Sequence, residues 1–159
     1  LRTLYDVWLS GTTEYHTASF SPKTNNGSNI APATKHVSKI TNLRSFYRKD
    51  ETARFRIHTR LKDWSPTIYT KAVSTPQIDI VESGSYEIYR VVDDFKAVAY
   101  GTGSLLHTQI SFDASGSYFD LDMNLLQAGY KYGVKLSYYN NSVGAWVQQT
   151  EIFKFRVED

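Results

Sequence analysis

Alternation of apolar and polar residues with a period of two is the feature that most constrains how this chain folds. Successive side chains of a β-strand point to opposite faces of a sheet, so such alternation predicts strands with one buried face. The pattern is clearest in four segments: Ala53–Leu61, Ser117–Met123, Tyr130–Tyr138 and Phe153–Val157. No long stretch repeats apolar residues at helical spacing. The sequence therefore predicts an all-β fold.

Further candidate strands with weaker alternation, and turn-forming residues between the strands, extend this prediction. The weaker candidate strands are His36–Leu43, Thr67–Ala72, Tyr86–Val92, Lys96–Tyr100 and Thr108–Phe112. Turn-forming residues separate the strands at Asp93–Asp94, Asp113–Gly116 and Asn140–Gly144, where short hairpin loops fit. Many short strands divided by turns are typical of an antiparallel β-sandwich.

The first 35 residues differ from the rest of the chain. Leu4, Val7, Trp8 and Phe20 are suited to docking on a partner, whereas Lys23–Ala33 is rich in Asn, Gly, Ser and Pro and is typical of a linker. We therefore predict an extended arm or linker over residues 1–35 and the sandwich over residues 36–159. Because the chain begins with leucine rather than methionine, we expect it to be part of a longer protein.

The composition excludes several kinds of chemistry. The chain has no cysteine, which excludes a disulfide framework, thiolate catalysis and cysteine-ligated metal sites. The four histidines are scattered, and no pair has the spacing of a helical metal motif. Asp120 and Asp122 lie on one strand face. They are too near each other for the pair of catalytic carboxylates of a glycosidase, so pairing with arginines is the better interpretation. We predict no catalytic residue, no metal and no cofactor, and hence no enzyme.

The segment from Leu125 to Leu136 resembles the corner between the fifth and sixth strands of immunoglobulin-like and fibronectin type III domains. In those domains a leucine and a turn precede a tyrosine, whose hydroxyl ties the corner to nearby backbone. The resemblance implies an immunoglobulin-like sandwich with Tyr130 as the corner residue and Tyr132 as the alternative. The chain departs from true immunoglobulin domains because it lacks the inter-sheet cysteines.

The resemblance also bears on an uneven distribution of charge. Residues 36–72 carry nine Lys or Arg against three Asp or Glu, whereas residues 73–159 carry six against eleven. In immunoglobulin-type order the second and fifth strands are neighbours. Cross-strand pairing would then neutralise a row of residues from each strand, namely Arg54, Arg56 and Arg60 against Asp120 and Asp122. The alternative is that the arginine row binds nucleic acid, with an affinity that falls steeply with salt.

The tryptophans are the remaining candidates for a binding surface. Trp8, Trp64 and Trp146 lie near loops or in the arm, and tryptophan and tyrosine are enriched at interfaces. With Phe20, these side chains form the predicted protein interface. Two alternatives stay open: Trp64 and Trp146 cover the ends of the core, or the aromatic rings stack on sugars.

Three segments resemble virion structural proteins of marine contractile-tailed bacteriophages: Arg54–Thr70, Ser38–Leu43 and Phe153–Glu158. The resemblance implies a structural module of a phage particle, assembled in the host cytoplasm, and transfers no catalytic residue. We therefore expect docking on other virion proteins or self-association, without membrane or nucleic-acid partners. The alternative function is a carbohydrate-binding module that attaches to a host surface.

Overall fold

A computed structural model describes residues 3–21, 33–72, 78–81, 83–101 and 104–159. The chain divides into two compact units, Leu1–Ala31 and Pro32–Asp159. The described elements, in chain order, are β1 (Leu4–Ser10), β2 (Thr13–Phe20), β3 (His36–Ile40), β4 (Phe46–Arg48), β5 (Thr52–Leu61), α1 (Ile68–Ala72), β6 (Gly84–Arg90), β7 (Lys96–Val98), β8 (Ser111–Asp113), β9 (Gly116–Asp122), a 3₁₀ turn (Met123–Leu125), β10 (Lys131–Asn140) and β11 (Ala145–Glu158).

The described part of the first unit, residues 3–21, is a β-hairpin, whereas the sequence predicts an extended arm or linker over residues 1–35. Strands β1 and β2 pair antiparallel from Leu4 opposite Phe20 to Ser10 opposite Thr13. Gly11 has a φ of 63° in the connecting turn, a backbone conformation that glycine adopts without strain. A register shift after Trp8 marks a bulge. The hairpin escaped prediction because apolar residues lie on both of its faces, which hides the period of two.

The second unit confirms the predicted all-β sandwich. One sheet has the order β4-β11-β10-β6-β7 and the other has the order β3-β5-β9-β8. Strands β5 and β9, the expected neighbours, pair antiparallel with Phe55 opposite Phe119. Strand β4 was not predicted; it pairs parallel to the end of β11, with Val157 opposite Tyr47.

The three predicted hairpin turns lie where expected. They join β6 to β7, β8 to β9 and β10 to β11. Each contains a residue with positive φ, namely Asp94 at 55°, Gly116 at 113° and Gly144 at 67°. By contrast, Thr67–Ala72 was wrongly predicted as a strand. Most of this segment forms the short helix α1 instead. The Thr67 carbonyl accepts a hydrogen bond from Lys71 N at 3.0 Å, which closes a helical turn.

Aromatic side chains from the inner faces of both sheets form the centre of the core. Phe55 is fully buried and its ring lies 5.0 Å from Phe119, 5.3 Å from Tyr47 and 5.6 Å from Phe155, centroid to centroid. Aliphatic residues of the inner faces surround this centre, among them Ile57, Ile88, Leu121, Val134, Leu136 and Val157. The alternating residues of the sequence therefore bury the apolar face that their pattern predicts.

The corner tyrosine is Tyr132 and not Tyr130. Gln127 N donates a hydrogen bond to the Tyr132 hydroxyl at 2.9 Å, and that hydroxyl donates to Gln127 O at 3.0 Å. Tyr130 follows Gly129, which has a φ of 88°, and its ring lies under the Arg90 guanidinium at 4.7 Å. The turn at Gly129 therefore breaks the alternation, so that Tyr130 stays at the surface while Tyr132 enters the core.

We expect Tyr132→Phe to lower the free energy of unfolding by about 1–3 kcal/mol, because it removes two hydrogen bonds and leaves both backbone groups of Gln127 without a partner. Tyr130→Phe is the matched control and should cost less than about 0.5 kcal/mol, as surface substitutions usually do. Urea denaturation of both variants measures the difference. A larger loss from Tyr130→Phe than from Tyr132→Phe would reverse our assignment of the corner.

Candidate functional site

The outer face of the four-stranded sheet carries the predicted charge rows, but only one predicted pair forms. Arg54 donates two hydrogen bonds to the carboxylate of Asp120, at 2.7 and 2.8 Å, from directly opposite it on β9. This arrangement lowers the pKa of Asp120, chiefly through the hydrogen bond with Arg54. Arg56 instead bonds Asp113, at 2.6 Å. The ring of Tyr118 lies against both guanidinium groups, at 4.5 Å from Arg54 and 5.1 Å from Arg56.

The other members of the predicted rows are not paired as expected. Asp122 lies opposite Thr52 and accepts a hydrogen bond from Asn124 N at 3.0 Å, so it caps the 3₁₀ turn. Arg60 lies beyond the paired part of β5 and β9, which ends at Ile57. In the described part of the chain its guanidinium bonds only the carbonyl of Leu61, at 3.3 Å. Among the described residues, carboxylates thus neutralise Arg54 and Arg56 of the arginine row but not Arg60.

The lowered pKa of Asp120 predicts how the sheet face responds to pH. A carboxylate whose pKa is lower in the folded state contributes stability above its unfolded pKa of about 3.9, and loses it as pH falls through the folded value. Asp120→Asn should therefore lower the denaturation midpoint more at neutral pH than at an acid pH below the folded pKa of Asp120, where the wild-type carboxylate is also protonated. Asp122→Asn, from the same strand face, is the control for loss of a carboxylate. An Asp120→Asn effect that is equal at both pH values would refute the pairing.

The predicted interface residues lie on separate elements. Trp8 and Phe20 belong to the hairpin, where they are 65% and 52% exposed. Trp64 follows β5 and is partly buried, whereas Trp146 lies on β11 and is 53% exposed. Within the sandwich, therefore, Trp146 is a surface residue rather than a cover for the core.

One face of the hairpin carries four apolar side chains together with Asp6 and His16. Leu4 lies opposite Phe20, Asp6 opposite Ala18 and Trp8 opposite His16, and alternate residues of a strand share a face. We call this surface the Trp8 face; its apolar members are Leu4, Trp8, Ala18 and Phe20. The indole N–H of Trp8 donates to Asp6 at 3.0 Å, which orients the ring along the strand. All residues of both strands are exposed.

The opposite face of the hairpin is also partly apolar but has a more polar second strand. Tyr5, Val7 and Leu9 lie on it, opposite Ser19, Thr17 and Glu14. Two isolated strands are marginally stable in water, and stability normally requires a further strand or a packed face. The hairpin thus presents apolar side chains that a partner surface would cover.

The sandwich carries a cavity of about 630 Å³ beside Trp146. We call it the Trp146 cavity. It lies where the loop after β7 passes the ends of β6 and β10, and its lining includes Tyr100, Leu105, Leu106, Gln109 and Ser137. The sequence does not predict this cavity, because the loop and Trp146 are far apart in the chain. The one available signal was the adjacent pair Leu105-Leu106, two apolar residues in a segment without strand alternation.

The part of the chain that the structure describes holds no group of three His, Asp or Glu side chains that could bind a metal ion. No helix there is long and apolar enough to cross a bilayer. His36, one of the four histidines of the chain, forms a hydrogen bond with Asp79 through Nε2 at 2.8 Å.

Comparison with known proteins adds no relative. The chain matches no known family, no curated protein and no solved structure.

Proposed function

We propose that the protein is a non-enzymatic structural module that docks on a neighbouring copy of itself through its N-terminal hairpin. The observation that carries the proposal is the exposure of large apolar side chains on a hairpin of only two strands. Leu4, Trp8 and Phe20 are each at least half exposed on one face. Large exposed apolar side chains grouped on one face are typical of interaction sites, even though Asp6 and His16 share this face.

A second copy suits the Trp8 face for two reasons. Packing two identical faces together removes the apolar side chains of both hairpins from water and gives each hairpin the packed layer that it lacks. Assemblies of identical chains are most often closed and symmetric, with the same patch used on both partners. A self-complementary face satisfies this symmetry because Trp8 of one copy can pack beside Phe20 of the other.

We further infer that the sandwich is immunoglobulin-like. Its strand order supports this, because β3-β5-β9-β8 follows the first-sheet order of that fold and β11-β10-β6 follows the second. The corner at Tyr132 is a further point of support. The resemblance to phage virion proteins suggests a particle as the setting, in which the neighbouring copy is an adjacent virion subunit.

Limited proteolysis at two concentrations tests the docking proposal. Chymotrypsin cleaves after aromatic residues and leucine, which the hairpin offers at Tyr5, Trp8, Tyr15 and Phe20. The dilute chain should be cut rapidly within residues 4–20, and the concentrated chain should be protected there, since docking covers the hairpin. Cleavage within the sandwich is the internal control. Equal cleavage of the hairpin at both concentrations would count against docking.

A further inference from the structure

The Trp146 cavity has a floor of hydroxyl groups. Ser85, Thr108 and Ser137 line it and are each less than a tenth exposed. Thr108 Oγ1 lies 2.8 Å from Ser85 Oγ and accepts a hydrogen bond from Gly101 N at 2.8 Å. The floor is therefore fixed by β6 and by the loop that follows β7.

Gly101 and Leu105, which both line the cavity, approach each other closely. A Cβ added at Gly101 would lie 2.0 Å from the carbonyl oxygen of Leu105, closer than any real contact. Only glycine at this position therefore leaves room for that carbonyl, and Leu105 and Leu106 line this side of the cavity. Both leucines are more than 60% exposed.

Tyr100 belongs to the same wall, but its hydroxyl is closed off from solvent. That oxygen is buried and has no hydrogen-bond partner among the described residues. Burial, with a smaller contribution from the charge of Glu87, raises the pKa of Tyr100. Tyr100 therefore lines the cavity with its other atoms rather than with its hydroxyl.

The rim is aromatic. Trp146 lines the cavity, and its ring meets the edge of Tyr139 at 5.6 Å between centroids. This contact holds the indole in place while half of it stays open to solvent. None of the described lining residues is charged.

We propose that the Trp146 cavity binds a neutral pyranose unit of a glycan. The apolar C–H face of the sugar ring packs on Trp146, and its hydroxyls bond Ser137 and Gln109. A cavity of about 630 Å³ lies within the range of about 300–1,000 Å³ that small-ligand sites occupy. This site lies on the sandwich and goes beyond the docking role proposed for the hairpin.

The same lining disfavours other ligand classes. A sugar acid or a phosphate would enter a site without a cationic side chain in its described lining. A purely apolar ligand would cover the side chains of Gln109 and Ser137 without offering them a hydrogen bond. An uncharged ligand with one apolar face and several hydroxyls satisfies both parts of the lining.

Tryptophan fluorescence tests the proposal in the full chain. In a Trp8→Phe/Trp64→Phe background Trp146 is the only tryptophan, so its emission reports the cavity directly. We expect saturable changes with at least one of a set of neutral oligosaccharides (gluco-, manno-, galacto- and xylo-oligosaccharides) and none with oligogalacturonate. Isothermal titration of the chain with Trp146→Ala should show at least a tenfold loss of affinity, and with Gln109→Ala a smaller loss.

Trp64→Ala, outside the cavity lining, is the matched control and should bind as the wild type does. Circular dichroism of Trp146→Ala establishes that the fold is intact. Absence of binding to every neutral oligosaccharide, or binding that Trp146→Ala leaves unchanged, would overturn the proposal. Sedimentation of Trp146→Ala separates the two proposals, because self-association through the hairpin should persist in this variant.

Discussion

Phe55→Ala is expected to lower the free energy of unfolding by about 3–5 kcal/mol, the usual cost of emptying an aromatic site in a core. Phe55 is fully buried at the centre of the sandwich, in contact with aromatic rings from three other strands. The strands that surround it belong to both sheets, so the cavity cannot close without moving one sheet toward the other. Most single domains have only about 5–15 kcal/mol of stability, so this variant should be close to unfolding at 37 °C.

Phe112→Ala is the matched control for this prediction. Phe112 lies on β8 of the same sheet, but its side chain is 54% exposed. Its loss should cost less than about 0.5 kcal/mol. Guanidinium denaturation followed by circular dichroism measures both variants. Similar losses in the two variants would mean that the aromatic cluster is not the centre of the core.

Trp8→Asp is expected to weaken self-association at least ~30-fold. Tryptophan is among the residues that most often dominate an interface, where truncation costs about 2 kcal/mol or more, and a buried charge adds a desolvation penalty. The substitution acts on the Trp8 face alone, since Trp8 belongs to the hairpin and not to the core of the sandwich. Analytical ultracentrifugation of the variant and the wild type gives the ratio of dissociation constants.

Val7→Asp provides the control for this prediction. It introduces the same charge one residue away, in the same strand, but on the opposite face of the hairpin. Its effect should be several-fold smaller. An unchanged dissociation constant for Trp8→Asp, or a larger effect from Val7→Asp, would show that the Trp8 face is not the contact.

The sequence predicted those parts of the fold that depend on local pattern. Alternation of apolar and polar residues predicts strands with one buried face. The segments Asp113–Gly116 and Asn140–Gly144 contain the residue types that tight turns need. The pairing of Arg54 with Asp120 followed from placing β5 beside β9, because opposite residues of antiparallel strands share a face. Strand identity and register were thus sufficient for this contact.

Other features depend on backbone geometry or on contacts that alternation does not encode. The resemblance implied Tyr130 as the corner residue and Tyr132 as the alternative, and the turn at Gly129, which the spacing does not reveal, decides in favour of Tyr132. Ile68, Tyr69 and Thr70 favour strands by propensity. They form a helical turn instead, and no described strand pairs with them. The hairpin has apolar residues on both faces, so its pattern resembles neither a half-buried strand nor a linker.

The Trp146 cavity could not be predicted for a related reason. It joins residues of β6, β10, β11 and a loop, which are brought together only by the packing of the chain. Ser85 and Ser137 of its floor occupy ordinary outward positions of β6 and β10 and give no separate signal. The tryptophan was singled out from the sequence, but the residues that act with it were not.

Sedimentation velocity of the unmodified chain over a range of concentrations tests the central claim most directly. If the hairpin docks on a second copy, the sedimentation coefficient should rise with concentration from that of an 18.2 kDa monomer toward that of a dimer. Removal of residues 1–31 should abolish this rise. A chain that sediments as a monomer at every concentration, or a rise that persists without the hairpin, would contradict the account.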